Sequence, residues 1–200
     1  KLVEIDNEAI LYLILRYPQL EKNMLEADFL KLNLQETFGN NFSLIGNFPY
    51  NISSQILFAV FENKDIIPEV VGMFQKEVAE RVVARKGKRR GILSVLLQAF
   101  YDIEYCFTVD EHVFQPPPKV KSGVIKLKRN KLEKLPCDEK LFKQIVKAGF
   151  NQRRKTLRNA LKPFSLENEL VTTDLLQKRA EELSVEDFII ITKVCQKKQK

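Results

Sequence analysis

Short apolar runs alternate with stretches of helical periodicity from Leu2 to Ala84, and this alternation narrows the possible folds more than any other feature of the chain. Residues 2–5 are strand-like, and residues 7–17 repeat at the helical period until Pro18 stops them. Residues 24–25 form a brief strand leading to Asp28, and residues 42–46 form another. Ser53 is placed to cap an amphipathic helix reaching Phe61; residues 69–74 are strand-like and residues 76–84 helical again. Strand and helix in alternation predict an α/β layer with a mainly parallel sheet. After the 87–91 loop come a helix over 92–100 and two strands, 103–109 and 120–128, separated by Pro116-Pro117-Pro118. Beyond Asp138 the pattern is helical only, over 141–150, 155–161, 175–183 and 185–194. The break at 130–136 predicts two units, an α/β domain over 1–130 and a small helical domain over 131–200 that ends in a Lys/Gln tail.

Composition removes several function classes. Cys106, Cys137 and Cys195 are odd in number, widely spaced and outside any CxxC pattern, which argues against a disulfide framework or zinc site and for a reducing, cytoplasmic setting. The single histidine, His112, stands beside Glu111 in a loop and reads as a surface residue, so hydrolytic triads and histidine-rich metal centres are disfavoured and no metal is expected. No apolar run approaches the ~18 residues of a membrane span, so no membrane partner is expected. No apolar seam marks an oligomer interface, so a monomer is expected. The formal charge of +7 favours a polyanionic partner. Its distribution is more telling than its sum. Arg81, Arg85, Lys86, Lys88, Arg89 and Arg90 stand within ten residues without an acid among them, and Arg153, Arg154, Lys155, Arg158 and Lys162 repeat the pattern. Two such clusters in an otherwise mixed chain predict phosphate contacts.

The most informative tetrapeptide is Asn47-Phe48-Pro49-Tyr50, at the carboxyl end of the strand over 42–46, where open α/β sheets bind their ligands. An adenine N6 amine is a poor nucleophile because its lone pair is delocalised into the ring. Two acceptors on its N–H groups would draw the nitrogen toward tetrahedral geometry and free that lone pair. The Asn47 side-chain oxygen and the Phe48 carbonyl are suited to this, with Pro49 stiffening the corner and biasing Phe48 to an extended backbone. Tyr50 offers a flat face to an extruded base, a stacking contact worth about 1–3 kcal/mol. The remaining task is to position two reactants.

The order of motifs then resembles the ribosomal RNA adenine N6,N6-dimethyltransferase family over about three-quarters of the chain. The matching stretches are Val3-Glu4-Ile5-Asp6, Ala27-Asp28, Asn47-Phe48-Pro49-Tyr50-Asn51-Ile52 and Gln75-Lys76-Glu77-Val78-Ala79-Glu80-Arg81. Phe114-Gln115-Pro116-Pro117-Pro118-Lys119-Val120-Lys121-Ser122 and Phe150-Asn151-Gln152-Arg153-Arg154-Lys155-Thr156-Leu157 follow in the same order. The resemblance implies a Rossmann-like methyltransferase sheet and S-adenosylmethionine as donor. It implies that Glu4 takes the two ribose hydroxyls, Ile5 packs on the cofactor's adenine, Asp28 accepts from its amine, and the Phe29 amide lies near the ring. Asn47 counts both as a catalytic residue and as a neighbour of the cofactor, and Phe114 is implied to sandwich the target base with Tyr50.

The family's first strand and glycine-rich loop have no counterpart here. Lys1 opens the chain in what reads as mid-sheet, so a preceding segment is expected to supply the loop that holds the methionine end; without it the chain would bind the cofactor poorly. The implied reaction is dimethylation of two adjacent adenosines near the 3′ end of small-subunit ribosomal RNA, on an immature subunit. Two alternatives stay open: a large-subunit enzyme of the macrolide-resistance type, and a non-catalytic ribosome-assembly factor that has kept the fold.

Overall fold

The computed structural model describes residues 1–164 and 173–196; the 165–172 stretch of the predicted helical unit and the last four residues of the Lys/Gln tail lie outside them. Strands β1 (Leu2–Glu4) and β2 (Met24–Glu26) flank helix α1 (Asn7–Arg16) and pair in parallel. Asp6 starts α1 by accepting from the Glu8 and Ala9 amides, and Arg16 sits in its last turn where the helix dipole favours a cation. A short helix, α2 (Leu34–Phe38), is capped by Asn33 and ended by Gly39 at φ 85°, a conformation glycine adopts without strain.

The second sheet has four strands in the order β3-β4-β6-β5: β3 (Leu44–Asn47), β4 (Glu69–Gln75), β5 (Tyr101–Val109) and β6 (Ser122–Arg129). Among the described residues it is not hydrogen-bonded to the β1-β2 pair. β3 and β4 are parallel, joined through helix α3 (Ser53–Glu62), whereas β6 runs antiparallel to both β4 and β5. The expectation of a mainly parallel sheet is corrected here. A parallel neighbour needs a crossover element, and residues 110–121 between β5 and β6 contain only one short 3-10 turn, Glu111–Val113, so β6 returns in the opposite sense. The arrangement is nonetheless α/β, with helices packed on the sheet.

Helices α4 (Lys76–Val83) and α5 (Ile92–Gln98) follow β4. The helical end comprises α6 (Glu139–Asn151), α7 (Leu157–Ala160), α8 (Thr173–Gln177) and α9 (Val185–Gln196). Asp138 caps α6 through the Leu141 amide, and α6 buries Leu141, Phe142, Ile145, Val146 and Phe150 at the spacing that lines one face. The helix predicted over 175–183 is two pieces. It breaks at Lys178, whose carbonyl accepts from the Leu157 amide, and resumes as a 3-10 turn over Ala180–Glu182. The apolar core runs without a break from Leu57, Val70 and Phe74 through Leu96 and Phe142 to Phe188 and Ile191. No helix among the described residues is long and apolar enough to cross a membrane.

Candidate active site at the carboxyl ends of the strands

β3 ends on Asn47, and the chain turns there through Phe48, Pro49 and a 3-10 turn, Tyr50–Ile52, into α3. Ser53 is not the cap predicted for that helix. It is the first helical residue, and its hydroxyl donates back to the Pro49 carbonyl at 3.2 Å, as does the Ile52 amide, so the corner is tied to the helix that follows it. Asn47 is exposed and Phe48 nearly buried. The Phe48 amide donates to the Met73 carbonyl at 3.2 Å, extending the β3–β4 pairing by one bond, and its ring stacks on Phe74 with centroids 5.2 Å apart. Neither the Asn47 side-chain amide nor the Phe48 carbonyl is spent on a hydrogen bond among the described residues. Two acceptors are therefore left open at one strand end.

Tyr50 is half-buried, and its hydroxyl lies 2.6 Å from the Ser122 hydroxyl, which is fully buried at the start of β6. Ser122 faces Gln75 in the β4–β6 ladder, so Tyr50 is held against the same end of the sheet that carries Asn47. Ser122 belongs to the Pro-Pro-Pro-Lys-Val-Lys-Ser stretch, yet nothing in sequence assigned it a role, because alternation along β6 puts it on the face of Val124, Lys126 and Lys128 and away from buried Ile125 and Leu127. Phe114 is half-buried in the loop after the 3-10 turn and makes no ring contact with Tyr50. His112 is exposed. A cavity of about 360 Å³ opens next to this point, lined by Gln75, Lys76, Glu111, Lys119 and Lys121 among others. A larger one, about 610 Å³, lies at the opposite ends of the strands by Lys64, Pro68 and Arg129, and none of the expected catalytic, cofactor or RNA-binding residues lines it.

The residues proposed for the cofactor gather on the other parallel pair. The Ala27 amide donates to the Glu4 carbonyl at 2.9 Å, bringing the ends of β1 and β2 together. One oxygen of Glu4, Oε1, accepts from the Ile5 and Asp6 amides at 2.7 and 3.0 Å, which fixes the carboxylate and leaves its second oxygen for another donor. Ile5 is 65% exposed beside it and leaves an apolar side chain open to a ligand. Asp28 accepts from the Leu30 amide at 3.0 Å through Oδ1, and its Oδ2 lies 3.7 Å from Lys31. Phe29 packs partly into the core. No hydrogen bond among the described residues links this group to Asn47.

The basic clusters are less uniform than their sequence. Arg81 pairs with Glu77 one helical turn back at 2.5 Å, Arg89 with Glu80 at 2.6 Å, and Arg153 with Glu181 at 2.8 Å. The description of both clusters as unopposed by acids is corrected accordingly. Arg85, Lys86, Lys88, Arg154, Lys155 and Arg158 are exposed and make no ion pair among the described residues. Arg90 is a second correction. It is 1% exposed, donates to the carbonyls of Arg85 and Leu183, and cannot reach a phosphate from that position. Burial pulls its guanidinium down to about pKa 10, with Glu186 and Asp187 acting against the shift. The Gly87 amide also donates to the Glu181 carbonyl at 2.9 Å, so the stretch around 181–183 braces both clusters at once. Among the described residues no group of three or more His, Cys, Asp or Glu is arranged to hold a metal.

The family model for ribosomal RNA adenine dimethylase matches residues 2–197. A ribosomal RNA small subunit methyltransferase A from Cytophaga hutchinsonii is 60% identical over 193 residues, covering 96% of this chain and 75% of the relative. The protein of the same name from Bacteroides thetaiotaomicron is 60% identical, covering 96% of this chain and 73% of the relative. In structure, the chain is similar to a dimethyladenosine transferase from Plasmodium falciparum, with a TM-score of 0.79 and 24% identity, covering 98% of this chain and 82% of that one. It also resembles the 23S rRNA methyltransferase ErmE, with a TM-score of 0.71 and 20% identity over 97% of this chain and 80% of that one. These two share the fold, which is Rossmann-like; the family rests on the matches in sequence. The chain belongs to the ribosomal RNA adenine dimethylase family.

Proposed function

We propose that this protein transfers methyl groups from S-adenosylmethionine to N6 of two adjacent adenosines near the 3′ end of small-subunit ribosomal RNA. The observation that carries the reading is the pair of unspent acceptors, the Asn47 side chain and the Phe48 carbonyl, on a corner fixed by Pro49 at the end of β3. The small-subunit choice over the large-subunit alternative follows the names of the 60% identical relatives.

In this reading the target adenosine leaves its stack and lies between Tyr50 and Phe114. Asn47 and Phe48 accept from the two N6 hydrogens and turn the nitrogen lone pair toward the donor. For the second transfer one hydrogen has been replaced, and a single acceptor contact must orient the amine. A strong base is not needed, because the proton becomes acidic only as the new N–C bond forms and then passes to water. The donor set suits the adenosine half of the cofactor: Glu4 has a carboxylate oxygen left for a ribose diol, exposed Ile5 offers an apolar face, and Asp28 stands on the neighbouring strand end with Phe29 beside it. When bound, the cofactor supplies an electrophilic methyl on a sulfonium. Arg85, Lys86, Lys88, Arg89, Arg81, Arg153, Arg154, Lys155 and Arg158 would meet RNA phosphates, with the helical segment beyond residue 130 as the second contact with the ribosome. The cysteine usage fits a cytoplasmic protein, and we take it to act as a monomer.

The test is transfer of labelled methyl groups by the full-length enzyme to small and large subunits purified from cells lacking the modification. Label should enter N6,N6-dimethyladenosine of the small subunit alone. Asn47→Ala should lower turnover by at least about 100-fold while changing RNA affinity less than about threefold. Full-rate transfer by that variant defeats the assignment.

A further inference from the structure

Gly46 and Gly72 face each other across the parallel β3–β4 pair, one residue before the catalytic corner on β3 and in the middle of β4. Glycine in a strand interior weakens it, and two opposed glycines at the working end of a sheet are a local conflict that asks for a cause. The cause is the Phe48 ring, joined at Gly72 by the ring of Phe74. A methyl group on Gly46 would lie 2.7 Å from Cε1 and 2.9 Å from Cζ of Phe48. A methyl group on Gly72 would lie 2.7 Å from Cε2 of the same ring and 2.6 Å from Cε2 of Phe74. The ring thus occupies the space that a β-carbon on either glycine would take, nearly buried and with Phe74 stacked beside it.

We propose that Gly46 and Gly72 are positioning residues for methyl transfer: the slot they leave seats the Phe48 ring and thereby fixes the Phe48 carbonyl. The proposal rests on the reading above that this carbonyl accepts from the target amine. Three constraints converge on Phe48. The slot fixes the Phe48 side chain, the Phe48 amide is held by Met73, and Pro49 with φ −57° restricts the bond that follows. The carbonyl between them has almost no freedom left, although its oxygen accepts no hydrogen bond among the described residues. A backbone acceptor cannot be aimed by its side chain in the way an asparagine oxygen can; the slot supplies that aim from below. Any β-carbon at either glycine lifts the ring and rotates the carbonyl away from the amine, while the RNA-binding face is left alone.

The experiment uses Gly46→Ala, Gly72→Ala and Asn47→Ala of the full-length enzyme, with kcat and KM for unmethylated small subunits, the ratio of monomethyl to dimethyl product, and thermal midpoints. The glycine variants should lose about 10–100-fold in kcat with KM within about twofold, and should accumulate monomethyl product. Glycine variants that keep kcat per folded molecule and lose only thermal stability overturn the proposal. Should a glycine variant fail to fold, Phe48→Ala decides the matter, since it empties the slot without a clash: a fall of about tenfold in kcat at unchanged KM supports the proposal, and an unchanged kcat refutes it. Asn47→Ala separates the two levels of argument. If it keeps full transfer the underlying reading fails, whereas if it abolishes transfer while the glycine and Phe48 variants do not slow it, only the slot fails.

Discussion

Replacing Arg90 distinguishes a residue that binds RNA from one that builds the surface which does. Its guanidinium donates to two backbone carbonyls, Arg85 and Leu183, and its Nε is buried without a hydrogen-bond partner among the described residues. Charge-assisted hydrogen bonds contribute about 1.5–3 kcal/mol each, and a carbonyl left buried and unpaired costs about 1–3 kcal/mol. Against this stands the cost of holding the cation out of water. The fall of its pKa to about 10 corresponds to a cost on the order of 3 kcal/mol that Glu186 and Asp187 do not recover. Arg90→Met fills most of the volume and relieves that cost while leaving both carbonyls without a donor, so the lost bonds win by about 1–3 kcal/mol. Arg90→Ala also opens a cavity, and its loss should reach about 3–5 kcal/mol. The folded-state pKa lies below the unfolded one, but both exceed neutral pH, so the side chain is charged in both states and the loss should be flat from pH 6 to 8.

Urea unfolding measures the stability, and the slope of log affinity for small-subunit RNA against log salt measures the phosphate contacts. Arg90→Met should leave that slope unchanged, whereas Arg154→Ala, exposed and without an ion pair, should lower it by on the order of 0.7–0.9 and alter stability by less than about 0.5 kcal/mol. An Arg90→Met protein of undiminished stability and reduced salt slope would put the guanidinium on the RNA face and refute this account.

Two further outcomes follow from buried hydroxyls. Tyr50→Phe keeps the aromatic face but leaves the Ser122 hydroxyl, fully buried, without its partner, and should cost about 1–2 kcal/mol of stability with a lower methylation rate. Ser122→Ala should do the same, and a double-mutant cycle should show a coupling of at least about 0.5 kcal/mol; simple additivity would mean that the contact holds nothing. Tyr101, buried with its hydroxyl donating to the Ile67 carbonyl at 2.8 Å, is pushed well above the usual phenol range by desolvation, and burial raises the Cys137 thiol to about 11. Both groups keep their protons longer when folded than when unfolded. The stability they contribute is complete below the unfolded values, about 9 for the thiol and 10 for the phenol, and is lost as pH rises through about 11 for Cys137 and higher still for Tyr101, so the thermal midpoint should fall from about pH 9 upward and Tyr101→Phe should flatten the part of that fall above about pH 10.

The elements near the site were legible because each carried a local signal. The apolar run ending at Gly46 becomes β3, Asn47-Phe48-Pro49-Tyr50 follows at its carboxyl end, and the helical period over 7–17 becomes α1 with Pro18 just past its end. Strand direction has no such signal. β6 alternates buried and exposed residues in either sense, and its antiparallel course was implicit only in a connection of residues 110–121 too poor in helix to form a crossover.

Burial of a charge is equally silent in sequence. Arg89 and Arg90 are neighbours of one type, yet one faces solvent and pairs with Glu80 while the other is sealed beneath Leu183, 93 residues later in the chain. Contacts of that range decide which members of a basic run remain available to RNA, and they act on the rest of the surface too. The segment that receives Arg90 also takes the Gly87 amide and pairs Glu181 with Arg153. A buried arginine can therefore matter to RNA binding without touching RNA, by holding the loop from which Arg85, Lys86 and Lys88 project. In that case loss of affinity on Arg90 substitution would be restored by conditions that restore folding, with a salt slope that never changed.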